Sequence, residues 1–142
     1  MTAHLTWTGQ GLHFLARAES GHTLSFDSPA EVGGTDQAAR PMEGLLVSMV
    51  ACFSADVVSI LRKKRKTVQS FQVRVQAERQ AEFPRVFTEV SLHLVVESPD
   101  ATAADLERSI ELSRTKYCAA LAMFEAAGCQ VRVTCDLNPS RA

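Results

Sequence analysis

Cys52 is the side chain of this sequence best placed for chemistry. It lies midway along Pro41 to Leu61, a stretch that is apolar on nearly every side. Wound as a helix at about 100° per residue, Ser48, Cys52, Asp56 and Ser59 fall within roughly 80° of each other. Leu45, Leu46, Met49, Val50, Phe53, Val57 and Leu61 cover most of the remaining circumference. A free cysteine is by default a small core hydrophobe. A thiol on the one polar strip of an interior helix is better explained as a nucleophile. A second cysteine, Cys118, stands in another helical segment, Lys116-Tyr117-Cys118. Beside a Tyr117 expected to face the core it would be packing, and its pairing with Cys52 raises it to a candidate. Two helical thiols far apart in sequence and free to meet in space form a candidate redox pair. One attacks, the other condenses with it, and a disulfide results.

The other reactive side chains carry less. Cys129 and Cys135 share the apolar side of a final strand with Val131 and Val133 and read as packing. His4, His13, His22 and His93 are scattered singly, and neither His-x-x-x-His nor Cys-x-x-Cys is present. No metal ligand set and no cofactor is therefore expected. Gly33-Gly34 is a turn pair, since no Gly-x-x-x-x-Gly-Lys follows it. The basic run Arg62 to Lys66 closes a helix, favoured by the C-terminal end of its dipole.

Three short strands come first. Leu5 to Thr8 is weakly patterned; Leu12, Phe14, Ala16 and Ala18 alternate with polar or outward residues; Leu24 and Phe26 alternate after Ser20-Gly21-His22. A loop from Pro29 to Arg40 leads to Pro41, which suits a first helical turn because that position has no intrahelical use for an N–H. Phe71, Val73, Val75 and Ala77, then Val90, Leu92, Leu94 and Val96, alternate with polar residues as two antiparallel strands with one wet face. Thr102-x-x-Asp105 opens a second helical region as a capping arrangement. Leu106, Ile110, Ser113, Tyr117, Leu121 and Phe124 keep a helical period, and Gly128 stands where a C′ residue would end it. Ser113 could instead cap a fresh helix, with Cys118 in its second turn. A last strand spans Gln130 to Leu137. The order βββ-α-ββ-α-β is an α+β domain, two main helices packed on antiparallel sheet.

At 142 residues the chain is expected to be a single domain, 1–142, with a real core. Hydrophobic content of 46% with 22% charged residues is that of a globular protein. A net charge of −1 argues against nucleic acid or an anionic membrane as partner. The N-terminus has no basic flank or apolar run of a signal peptide. The longest apolar stretch is interrupted by Ser48, Ser54 and Asp56 and is read as no membrane span. The expected location is the cytoplasm, with all four cysteines reduced. One subunit has little with which to cover a helix apolar nearly all round, so a C₂ homodimer is expected.

Three motifs carry a family resemblance. Arg40-Pro41-Met42-Glu43-Gly44-Leu45-Leu46, followed by Val50-Ala51-Cys52-Phe53-Ser54-Ala55-Asp56-Val57-Val58, resembles the central helix of the OsmC/Ohr family, the osmotically induced and organic hydroperoxide resistance proteins. Phe83-Pro84-Arg85-Val86-Phe87-Thr88-Glu89 resembles the family's middle hairpin, and Leu112-Ser113-Arg114-Thr115-Lys116-Tyr117-Cys118 its second cysteine site. The similarity runs from about Trp7 to Leu137. It implies an OsmC-like fold, an intertwined homodimer with its sites at the subunit interface, and a thiol-dependent peroxidase. The substrates would be organic hydroperoxides, and a small external dithiol of lipoyl type would recycle the enzyme.

A peroxidatic thiol must ionise near neutral pH. Cys52 stands eleven residues past Pro41, beyond the reach of the helix dipole. The resemblance implies an arginine from the N-terminal hairpin, held by a glutamate near the start of the central helix. The matching turn here, Thr8-Gly9-Gln10-Gly11, has no arginine. Arg40, held by Glu43, is the expected substitute, with Arg17 next. The rival reading is a dimeric module that keeps the fold, has lost the peroxidase and holds an apolar small molecule at the interface.

Overall fold

A computed structural model of the chain describes residues 1–139. They divide into two compact units, with the division in the chain falling between Val47 and Ser48.

The first unit is a three-stranded antiparallel meander, β1 (Ala3–Trp7), β2 (Phe14–Ala18) and β3 (Thr23–Phe26). Trp7 pairs with Phe14, and Phe14 with Phe26. The loop after β3 is organised around Asp27, which is 1% exposed. Its carboxylate accepts from the Thr35 hydroxyl at 2.6 Å and from the backbone N–H groups of Ser28, Thr35 and Gln37. The Thr35 hydroxyl above all, with those N–H groups, holds the Asp27 carboxyl well below the usual range against the opposing effect of burial. The backbone returns to the strand at Asp27 N–H to Ala39 C=O, 3.0 Å, one residue before Arg40. Phe26 packs where a Cβ at Gly44 would stand, so the first helical turn lies directly on the ring.

Helix α1 (Pro41–Lys63) starts at the proline, as expected, and continues into the second unit. In length and mean hydropathy it is apolar enough to cross a membrane. Its second half instead buries Met49, Phe53, Val57 and Leu61, an i, i+4 stripe, in the core of the second unit. Strands β4 (Ser70–Arg79), β5 (Phe87–Glu97) and β6 (Gln130–Leu137) form a sheet in that order. Alternate residues of β5, Val90, Leu92, Leu94 and Val96, are fully buried, as period two requires. β4 and β5 are antiparallel, with Phe71 opposite Val96.

β6 departs from the all-antiparallel expectation. It runs parallel to β5, with Val90 opposite Val131 and Leu94 opposite Cys135. The intervening chain is a crossover long enough to return it to the same end of the sheet. That crossover is α2 (Ala103–Leu112), a π-helical turn (Ser113–Tyr117) and α3 (Ala119–Ala126), so the single second helix expected from the period is two. Thr102 and Asp105 form the reciprocal capping box that their spacing predicts. Gly128, at φ +85°, follows α3 in the left-handed conformation that glycine tolerates.

Candidate active site

Cys52 and Asp56 stand one turn apart on α1, so their side chains emerge on the same face. Cys118 arrives from the far end of the π turn. Its N–H bonds to Ser113 C=O at 2.8 Å, an i to i−5 closure. That extra residue rotates everything after it by about 100°. Ser113 is buried, and a regular helix would point Tyr117 inward after it. With the π turn, Tyr117 is 51% exposed and Cys118, 2% exposed, takes the inward position. Tyr117 therefore does not face the core as the helical period predicts.

The result is a cluster in which the Cys52 and Cys118 sulfurs and an Asp56 oxygen all lie within 4.8 Å of one another. The two sulfurs are 3.5 Å apart. No disulfide joins them.

Cys118 is held firmly. It is the N-cap of α3, and its sulfur accepts the Leu121 N–H at 3.4 Å. Asp56 is oriented by Ser113, whose hydroxyl donates to Asp56 Oδ2 at 3.2 Å and lies 3.3 Å from the Phe53 carbonyl oxygen. Burial pushes the Cys118 thiol up to about 11, and the neighbouring Cys52 and Asp56 charges add to it, against a lowering by the Leu121 N–H. Cys118 thus stays protonated at neutral pH. Cys52 is half-buried, and Asp56, also half-buried, borders a cleft with Ser59, Ile60, Lys63, Leu112 and Tyr117. Cys52 is therefore the less buried of the two thiols, and the buried, capped one is Cys118.

Arg40 and Glu43 belong to the first unit. Glu43 Oε2 accepts the Arg40 backbone N–H at 3.0 Å, and Oε1 lies 3.4 Å from Arg40 Nη1. The second guanidinium nitrogen goes to Asp36 at 3.2 Å. The contact with Glu43 is single-pronged at the side chain, and two carboxylates share the guanidinium. Arg17 lies exposed on β2. Among the described residues of the second unit, no lysine or arginine is hydrogen bonded to Cys52, Asp56 or Cys118. Cys129 is buried and Cys135 half-buried at the start and in the middle of the β6 region, both pushed up by burial, as packing residues are.

Sequence reasoning placed Ser113 on the helical period, or as the cap of a fresh helix, and gave it no part in the site. Its contact with Asp56 depends on how α1 and the π turn meet, and no local spacing announces it.

The model of the OsmC-like protein family matches residues 34–134. Protein YhfA of Escherichia coli K12 is 39% identical over 127 residues, covering 89% of this chain and 91% of its own. A hypothetical protein from Aquifex aeolicus superposes with a TM-score of 0.82 at 25% identity, over 99% of this chain and 97% of its own. An organic hydroperoxide resistance protein from Legionella pneumophila shares the fold, with a TM-score of 0.62 at 14% identity and 98% of each chain covered.

Proposed function

This chain belongs to the OsmC-like protein family, and we propose that it is a thiol-dependent peroxidase that reduces organic hydroperoxides through Cys52 and Cys118. The observation that carries the reading is the 3.5 Å approach of two sulfurs from separate helical segments, one half-buried and one buried. Cys52 attacks the outer oxygen of the peroxide; the O–O bond breaks, the alcohol leaves and a sulfenic acid remains. Cys118 then attacks the Cys52 sulfur, the S–O bond breaks, and water leaves with the Cys118 proton. At 3.5 Å the second step starts from two sulfurs already brought together. A small external dithiol of lipoyl type reduces the disulfide by exchange.

The chain acts as one OsmC-like domain in a cytoplasmic homodimer. Leu5, Trp7, Leu15 and Leu24 are exposed on the first unit's meander, and Leu45 and Val47 on the first turns of α1. So much apolar surface calls for cover, which a second copy supplies. Arg40, ordered by Glu43, is the cation assigned to Cys52, with Arg17 the alternative; across a dimer either one can come from the partner.

One observation favours the rival reading, an OsmC-like dimer that binds an apolar small molecule without reducing peroxide. The hairpin turn has no arginine, and Arg40 is already engaged by two carboxylates. The two readings part on a thiol count. One equivalent of cumene hydroperoxide should lower the four titratable thiols to two, with Cys52 and Cys118 the pair lost. An unchanged count rejects the peroxidase and leaves the binding module.

A further inference from the structure

The thiol site is a donor set as well as a redox pair. It brings two sulfurs and a carboxylate oxygen within 4.8 Å of one another from two different helical segments. All three are anionic once ionised. Their hydrogen-bond partners among the described residues of the second unit are a hydroxyl and a backbone N–H, neither of which carries a positive charge. A cation is the natural complement of such a set.

We propose that the reduced site binds one thiophilic divalent cation of the Zn²⁺ class through Cys52 Sγ, Cys118 Sγ and one Asp56 oxygen, with water in a fourth position. Tetrahedral zinc with Zn–S bonds of about 2.3 Å holds its sulfurs about 3.8 Å apart. The pair already stands at 3.5 Å, so the ion enters with an adjustment of a few tenths of an ångström between sulfurs. The carboxylate closes in by at most about 1.3 Å, within the reach of a rotamer change.

The surroundings are those of a built ligand set. Asp56 is oriented by the Ser113 hydroxyl at 3.2 Å, and ligating carboxylates are characteristically held this way. Cys118 is fixed at the N-cap of α3. Asp56 borders the cleft beside Tyr117, which leaves the open coordination position a path to solvent. Two thiolates with one carboxylate suit zinc or cobalt. They do not suit magnesium or calcium, which take oxygen alone, and they offer less than the all-sulfur set that copper(I) prefers.

The exchange balances without an oxidant. The ion enters, two S–H bonds break, two metal–sulfur bonds form and two protons go to solvent. A Cys52–Cys118 disulfide has no thiolate to offer, so oxidation empties the site. Occupancy in turn shields both sulfurs. The ion is thus held only in the reduced state, and this stands whether or not peroxides are the substrate. A search by local spacing does not find the set, because only Cys52 and Asp56 are near in sequence.

Anaerobic titration of the reduced full-length protein with Co²⁺, followed by Zn²⁺, tests this directly. One cobalt per chain should bind, with a near-ultraviolet thiolate-to-cobalt absorption that zinc abolishes, and bound zinc should protect Cys52 from alkylation. Cys52→Ser and Cys118→Ser should each halve that absorption and weaken zinc at least tenfold. Asp56→Asn should weaken zinc about tenfold while keeping the absorption per bound ion, and Ser113→Ala should weaken it about tenfold by freeing the carboxylate. Thermal melts of each variant separate loss of ligand from loss of fold. Substoichiometric binding to the wild-type protein overturns the proposal. So does zinc affinity left undiminished in well-folded Cys52→Ser or Asp56→Asn protein, or stoichiometric binding to protein oxidised to the disulfide.

Discussion

The two sulfurs differ in what surrounds them, and the proposed roles follow that difference. Cys118, buried and pushed from an ordinary 9.0 to about 11, cannot be the thiolate that meets a peroxide at neutral pH. The shift also has a consequence for stability. A raised thiol favours the folded chain as long as the thiol is protonated, because the unfolded chain ionises first. That contribution is complete below pH 9 and is lost as pH rises toward 11. Thermal melts should therefore fall over this window, and Cys118→Ala should flatten the fall even if it lowers the curve as a whole. A second prediction concerns the cation. Arg40→Ala and Glu43→Ala should each move the alkylation profile of Cys52 to higher pH and slow peroxide reduction by similar factors. The double variant should add little, since the pair acts as a unit. A profile that Arg40→Ala leaves in place transfers the role to Arg17. At this scale the polar stripe singled out Cys52, and the approach of its sulfur to that of Cys118 is in the structure; Arg40 and Glu43, chosen from their place at the head of α1, do contact each other. Ser113 was not legible as a partner of Asp56, since that contact joins residues 57 apart in sequence.

Among the elements, legibility followed locality. The capping box at Thr102 and Asp105, the proline start of α1 and the glycine after α3 each depend on a few adjacent residues, and all three stand as their spacing predicts. The π turn does not, because a count of 3.6 residues per turn has no signal for one added residue. It moved Cys118 from the second turn of a helix to its N-cap, and Tyr117 from the core to the surface. Parallel pairing of β6 with β5 was equally hidden, since alternation fixes which face is buried and leaves direction open. The cap offers a clean energetic check. Thr102→Ala should cost about 1 kcal/mol in chemical denaturation, with the loss confined to stability and the reactivity of Cys52 unchanged.

For the whole molecule, the family and the α+β architecture were legible because three motifs occur in order along one chain. The division into two compact units was not, since α1 runs unbroken in sequence through the boundary at Val47. A homodimer should scatter light as two chains at every workable concentration. Phe53→Asp should unfold the protein, because a charge at a fully buried position costs several kcal/mol, comparable with the stability of a domain. A well-folded monomer of the wild-type chain would contradict the dimer. The central claim is that Cys52 attacks and Cys118 resolves, and the most direct measurement is mass spectrometry of the two single-substitution variants after one equivalent of cumene hydroperoxide with dimedone present. Cys118→Ser should consume one peroxide and carry one dimedone adduct on Cys52, while Cys52→Ser should consume none. Adduct on Cys118 in the Cys52→Ser protein, with an unlabelled Cys52 in the Cys118→Ser protein, would contradict the account.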